Sequence, residues 1–108
     1  KVYDKSASLG PALVSKESIG DAQQLGVTLV IERDGKEAFQ GQANTSEMKR
    51  DCEYLVDWLV RHNTIPDGTS VMTGTGTIPP PEFTLTEGDV VHITIDKIGT
   101  LTNTVVVV

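Results

Sequence analysis

Apolar positions change their spacing along the chain, and each change marks a different element. From residue 26, "GVTLVIERDGKEAFQG" holds two β-rich runs joined by Asp34-Gly35. Asp-Gly between such flanks is a strong hairpin signal, because both central positions accept positive φ. From residue 48 the spacing lengthens. Met48, Cys52, Leu55, Val56 and Leu59 follow the 3.6-residue period, with Lys49, Arg50, Glu53 and Asp57 on the other face. Asn44 is a candidate N-cap with Glu47 three residues on, so a helix is predicted over residues 45–62. "IPDGTSVMTG" reads as a turn followed by a strand, and "FTLTEGDVVHITIDKIGTLTNTVVVV" as two more strands around Ile98-Gly99. Alternation in "DVVHITID" places Val91, Ile93 and Ile95 on one face and Val90, His92, Thr94 and Asp96 on the other. "LGPALV" is a short apolar run beside a Gly-Pro turn signal. The predicted fold is mainly β (α+β), with antiparallel strands and one packed helix.

Composition narrows the partners. A chain of 108 residues makes one domain with a modest core. A formal charge of −6 and a pI near 4.7 argue against nucleic acid or an anionic membrane surface, which need clustered Lys and Arg. No apolar run is long enough to span a bilayer, and the first ten residues have no signal-peptide character. A single cysteine, Cys52, with no CxxC or Cys/His cluster, points to a reducing, cytoplasmic setting. The chain starts at Lys1 without a methionine and ends on four valines that call for a neighbouring strand. It is therefore expected to be a piece of a larger enzyme.

The residues that commonly carry chemistry are scattered. His62 reads as a helix-end residue and His92 as a solvated or hydrogen-bonded imidazole on a polar strand face. Cys52 falls on the apolar helical stripe and reads as a small buried hydrophobe rather than a nucleophile. The carboxylates show no E-x-E or H-x-E pair and no metal-ligand spacing, so no complete catalytic constellation is present. One stretch stands apart. "VMTGTGTIPPPEF" runs two apolar residues into alternating Thr and Gly and then into three prolines. Read from residues alone, it is first a turn in which Gly and Thr serve conformation only. The other reading is a ligand cradle, with bare backbone N–H groups and hydroxyls that hold a carboxylate or keto oxygen.

"KVYDKSASLGPALV", "NTSEM", "TGTGTIPPPEFTLTEGDVV" and "IGTLTNTV", in this order, resemble the C-terminal half of the fumarylacetoacetate hydrolase superfamily. The form of the third motif is most similar to the branch of 2-keto-3-deoxy-pentonate (sugar acid) dehydratases. Ala7 departs from that branch, where a Cys is common. The resemblance implies the C-terminal portion, residues 1–108, of one catalytic domain built as a mixed β-roll. It implies a divalent ion, Mg²⁺ or else Mn²⁺ or Ca²⁺, held by three carboxylates upstream of Lys1 and so not by this chain. The ion would chelate a 2-keto acid and stabilise its enolate. The expected reaction is dehydration of a 2-keto-3-deoxy sugar acid by a homo-oligomer. Acylpyruvate or 1,3-diketone C–C hydrolysis, decarboxylation or isomerisation, and a non-catalytic β module are the alternatives. Carried over by position, Lys1 would approach the metal-site carboxylate and the substrate oxygens. Thr75 would bind the substrate carboxylate, Gly74 and Gly76 would give access, and Pro79, Pro80 and Pro81 would brace the turn.

Overall fold

The computed structural model describes residues 3–108; Lys1, the catalytic candidate of the motif comparison, lies outside them. A four-stranded antiparallel sheet forms the centre, in the order β2-β1-β3-β4. Its strands are β1 (Gly26–Arg33), β2 (Lys36–Asn44), β3 (Val90–Ile95) and β4 (Gly99–Thr104). A short helix α1 (Lys16–Ile19) precedes the sheet, and helix α2 (Cys52–Val60) follows β2. The expected mainly β fold with antiparallel strands and a helix beside them is what the chain adopts.

The hairpin between β1 and β2 turns at Asp34 and Gly35, with φ of 53° and 71°. Two positive φ values give the turn a twist that matches the strands it joins. Register slips once, between Ile31 and Glu32, where β2 carries one extra residue. The second hairpin reverses through Lys97 at φ 63° and Gly99 at φ 113°, so its turn precedes the expected Ile98-Gly99 centre by about a residue.

Cross-strand partners share a face, and one face is apolar. Leu29 pairs with Ile93 and Gly41, and Ile31 with Val91 and Phe39. Leu29 and Ile31 are buried there, with Ile19 and Leu25 completing a small core. On the opposite face His92 and Thr102 pair, Nδ1 lying 2.9 Å from the Thr102 hydroxyl, and Thr94 bonds Thr100. His92 is thus the hydrogen-bonded strand residue its position suggested.

Irregular segments, rather than a second sheet, cover much of the apolar face. Ser8 donates to Asn103 at 2.8 Å, and Leu101 and Pro11 lie close to the backbones of Gly10 and Gly99 respectively. The N-terminal arm therefore runs along β4. On the other side, Phe83 packs against Phe39 with ring centroids 5.9 Å apart.

Two expectations are corrected. The helix predicted over residues 45–62 is broken in two. Asn44 caps only a 3₁₀ turn, Thr45–Glu47, by accepting from the Ser46 amide at 2.9 Å. Thr45 is tied to Leu25, just before β1: its amide donates to the Leu25 carbonyl, and its hydroxyl accepts from the Leu25 amide. Met48 is then extended, and α2 restarts at Asp51, whose carboxylate accepts from the Tyr54 amide at 2.7 Å. Tertiary hydrogen bonds have overridden the helical period. The strand expected within "IPDGTSVMTG" is also absent, because residues 65–74 run without a ladder partner.

Candidate functional site

The bare Thr/Gly stretch lies over the apolar face of β2. A Cβ on Gly41 would collide with the Thr77 hydroxyl oxygen, and one on Gly76 would lie 3.0 Å from the Ala43 methyl. The missing side chains are what let two backbones approach. Gly74, at φ 95°, turns the segment in a region that side chains rarely tolerate. Thr75 then folds back on the turn, its hydroxyl donating to the Thr77 carbonyl at 3.0 Å.

Beyond this turn the segment is anchored at the far end of the sheet. The Arg33 guanidinium grips Asp89 with two bonds of 2.8 Å and also donates to the Thr84 carbonyl at 2.9 Å. The Thr86 amide and hydroxyl donate to the same carboxylate. Arg33 also lies over the Phe83 ring, 5.4 Å from its centroid. Asp89 is only 1% exposed, and every buried side-chain polar atom among the described residues has a partner. Arg33, chiefly, and the Thr86 amide hold its carboxyl far below the usual carboxylate range. The "FTLTEGD" motif thus pins the chain just after the prolines.

Between the turn and the sheet lies a cavity of about 520 Å³. Val27, Ala43, Ile93 and Ile95 form its floor, and Met48 and Leu55 its apolar wall. Gly74, Thr75 and Gly76 all line it, so the structure gathers the three predicted binding residues at one opening. Lys49 and Arg50 line it too. The 3.6 period assigned them to a solvent face, but they belong to the non-helical link between the 3₁₀ turn and α2. Gln23 holds that link in place: its amide NH₂ donates to the Thr45 carbonyl, and its carbonyl accepts from the Cys52 amide. Asp51, a capping residue just before an apolar run, was the signal that could have located this link. Cys52 is half-buried at the helix start and faces a second groove, away from the turn. His62 follows α2 at φ 55° and lies outside the cavity lining.

Among the described residues no three His, Cys, Asp or Glu side chains gather as a metal ion would need. Glu47 is the one carboxylate bordering the cavity, beside two cations. These residues do not fit a divalent ion. They fit an anion with an apolar body, because hydroxyl, amide and cationic groups stand over an aliphatic floor.

Residues 1–106 match the model of the fumarylacetoacetate (FAA) hydrolase C-terminal family. The chain belongs to this family. It is 46% identical over its whole length to a probable 2-keto-3-deoxyxylonate dehydratase of Haloferax volcanii, covering 37% of that protein. It is 41% identical over 101 residues to a 2-dehydro-3-deoxy-D-arabinonate dehydratase of Saccharolobus solfataricus, covering 34% of it. A solved 2-keto-3-deoxy-D-arabinonate dehydratase, complexed with magnesium and 2,5-dioxopentanoate, superposes with a TM-score of 0.85 at 41% identity. That match covers 88% of this chain and 34% of the solved one. The family member described here therefore spans about a third of the length of these relatives. Among its described residues no helix is long and apolar enough to cross a membrane.

Proposed function

We propose that this chain supplies the carboxylate-binding wall of a divalent-metal-dependent enzyme that dehydrates 2-keto-3-deoxy sugar acids. One observation carries the reading. Gly74, Thr75 and Gly76 converge on a cavity with an apolar floor and a cationic rim, in a chain 46% identical to a probable 2-keto-3-deoxyxylonate dehydratase. In this reading the turn amides and the Thr75 hydroxyl bind the substrate carboxylate, while Val27, Ile93 and Ile95 receive its methylene carbon. Releasing Thr75 from the Thr77 carbonyl frees its proton for the ligand. Lys1 is assigned to the substrate oxygens by the motif it begins. The metal, Mg²⁺ by analogy with the magnesium-bound relative, is held by carboxylates outside these 108 residues. The same reading makes the protein a cytoplasmic homo-oligomer, and the exposure of Leu9, Leu13 and Val107 supports further contacts at those surfaces.

The test is to incubate the full-length protein with Mg²⁺ and a 2-keto-3-deoxypentonate and follow substrate and product by mass. The dehydratase reading expects loss of one water, forming a dioxo acid. A tautomerase is the second reading, favoured by 34% identity to an oxaloacetate tautomerase of Xenopus laevis. It would leave the mass unchanged. Unaltered sugar acid beside rapid enol–keto exchange of oxaloacetate would replace the first reading with the second.

A further inference from the structure

Bare amides and one hydroxyl make a neutral cradle, yet a 2-keto acid is an anion. The Thr75 hydroxyl is moreover already committed to the Thr77 carbonyl at 3.0 Å. The compensating charge must come from elsewhere in the cavity wall or from outside the chain. Lys49 and Arg50 line the same cavity as the turn. Glu47 is the one carboxylate beside them in that lining, which leaves the rim with one net positive charge. Neither cation is in an ion pair among the described residues, where Lys16 pairs with Glu53 and Arg33 with Asp89. Arg50 instead lies over the Tyr54 ring, 5.8 Å from its centroid, which restrains a long side chain beside the opening. The backbone that presents both cations is also fixed. It is bounded by the Gln23 bonds to Thr45 and Cys52 and by the Asp51 cap of α2. Two adjacent cations without an ion-pair partner among the described residues therefore sit on an anchored, non-helical link, Arg50 held only by the Tyr54 ring.

We infer that Lys49 and Arg50 are the cationic half of an anion clamp whose neutral half is the turn at residues 74–76. They set the preference of the site for an ionised 2-keto acid over its uncharged analogue. This inference rests on the proposed binding of a 2-keto acid carboxylate at the turn, and it adds the residues that recognise its charge. Both side chains are solvent-exposed, so their attraction is screened by salt and works on affinity rather than on the fold.

The experiment uses the full-length protein with Mg²⁺ and two probes, pyruvate and its neutral amide, titrated calorimetrically. Wild type should bind pyruvate about ten- to hundredfold more tightly than the amide, the range of a charge-assisted contact. In the double variant Lys49→Gln/Arg50→Gln that gap should shrink to about twofold, with amide affinity and Tm unchanged. Each single variant should lose part of the gap, and Glu47→Gln should widen it. A full gap retained in the double variant overturns the inference, as does equal weakening of both probes, which marks a structural role. Failure of wild type to bind pyruvate overturns it as well. Failure of dehydration is a separate result. A gap that depends on Lys49 and Arg50 in a protein that releases no water would remove the dehydratase reading and leave the clamp standing.

Discussion

At the residue scale, two positions outside the cavity lining, Gly41 and Asp89, hold the segment that forms the turn. Gly41 is the place where the Thr/Gly segment lies on β2, and any Cβ there would meet the Thr77 hydroxyl oxygen and the Phe39 ring. Gly41→Ala should therefore lift the segment and raise KM for the proposed dehydration by the full-length protein, while far-UV circular dichroism stays unchanged. An unaltered KM would show that the segment does not rest on the strand. Asp89 governs the other end. Its carboxyl titrates below its ordinary value in the folded protein, so its contribution is fully present above the unfolded pKa of about 4. That contribution is lost as pH falls through and below this value, because the unfolded chain takes up the proton first. Asp89→Asn should lower Tm at pH 7 and flatten the decline of Tm between about pH 5 and pH 2. A parallel decline in both proteins would assign the acid sensitivity to other carboxylates.

At the element scale, α2 is a half-exposed helix at the edge of the cavity, with no fully buried residue. Cys52, Leu55 and Leu59 are half-buried, while Val56, Trp58 and Val60 are exposed. A fully buried leucine costs about 2–5 kcal/mol when cut to alanine. Leu55 borders an open cavity, so Leu55→Ala should cost about 1–2 kcal/mol by denaturant unfolding. A loss above about 3 kcal/mol would mean that the cavity closes over the helix in solution. Removing the Asp51 cap by Asp51→Ala should cost about 1 kcal/mol and reduce helical signal. Locating α2 from sequence failed at its start for a definite reason. Met48, Cys52, Leu55 and Leu59 are half-buried as the stripe implies and Val56 is exposed; periodicity reads only which residues recur on one face. It cannot see the Thr45 hydroxyl and the Gln23 amide, which tie residues 45 and 52 to the segment just before β1 across 20 to 29 positions. The strands were legible because their signals are local: Asp34-Gly35 for one hairpin, and strict alternation for β3.

At the scale of the whole molecule, the same contrast separates the two halves of the site. Gly74, Thr75 and Gly76 stood out in the sequence because a run of bare and hydroxylated residues before three prolines is unusual anywhere. Lys49 and Arg50 did not, because a cation on the polar side of an amphipathic run looks like solvated surface. Only the tertiary course of the link brings them to the cavity. The sheet supplies an apolar floor, the N-terminal arm and Phe83 cover its flanks, and the Arg33–Asp89 pair holds the returning chain. These parts leave the cavity open beside the turn, where the proposed anion would enter. The proposed site depends on that turn binding a carboxylate, and Thr75 tests this most directly. If the full-length protein is the proposed dehydratase, kcat/KM for a 2-keto-3-deoxypentonate should fall about ten- to hundredfold in Thr75→Val, at unchanged Tm. Thr75→Ser, which keeps the hydroxyl, should stay within about threefold of wild type. Equal kcat/KM for Thr75→Val and wild type would contradict the account and return the stretch to a purely conformational turn.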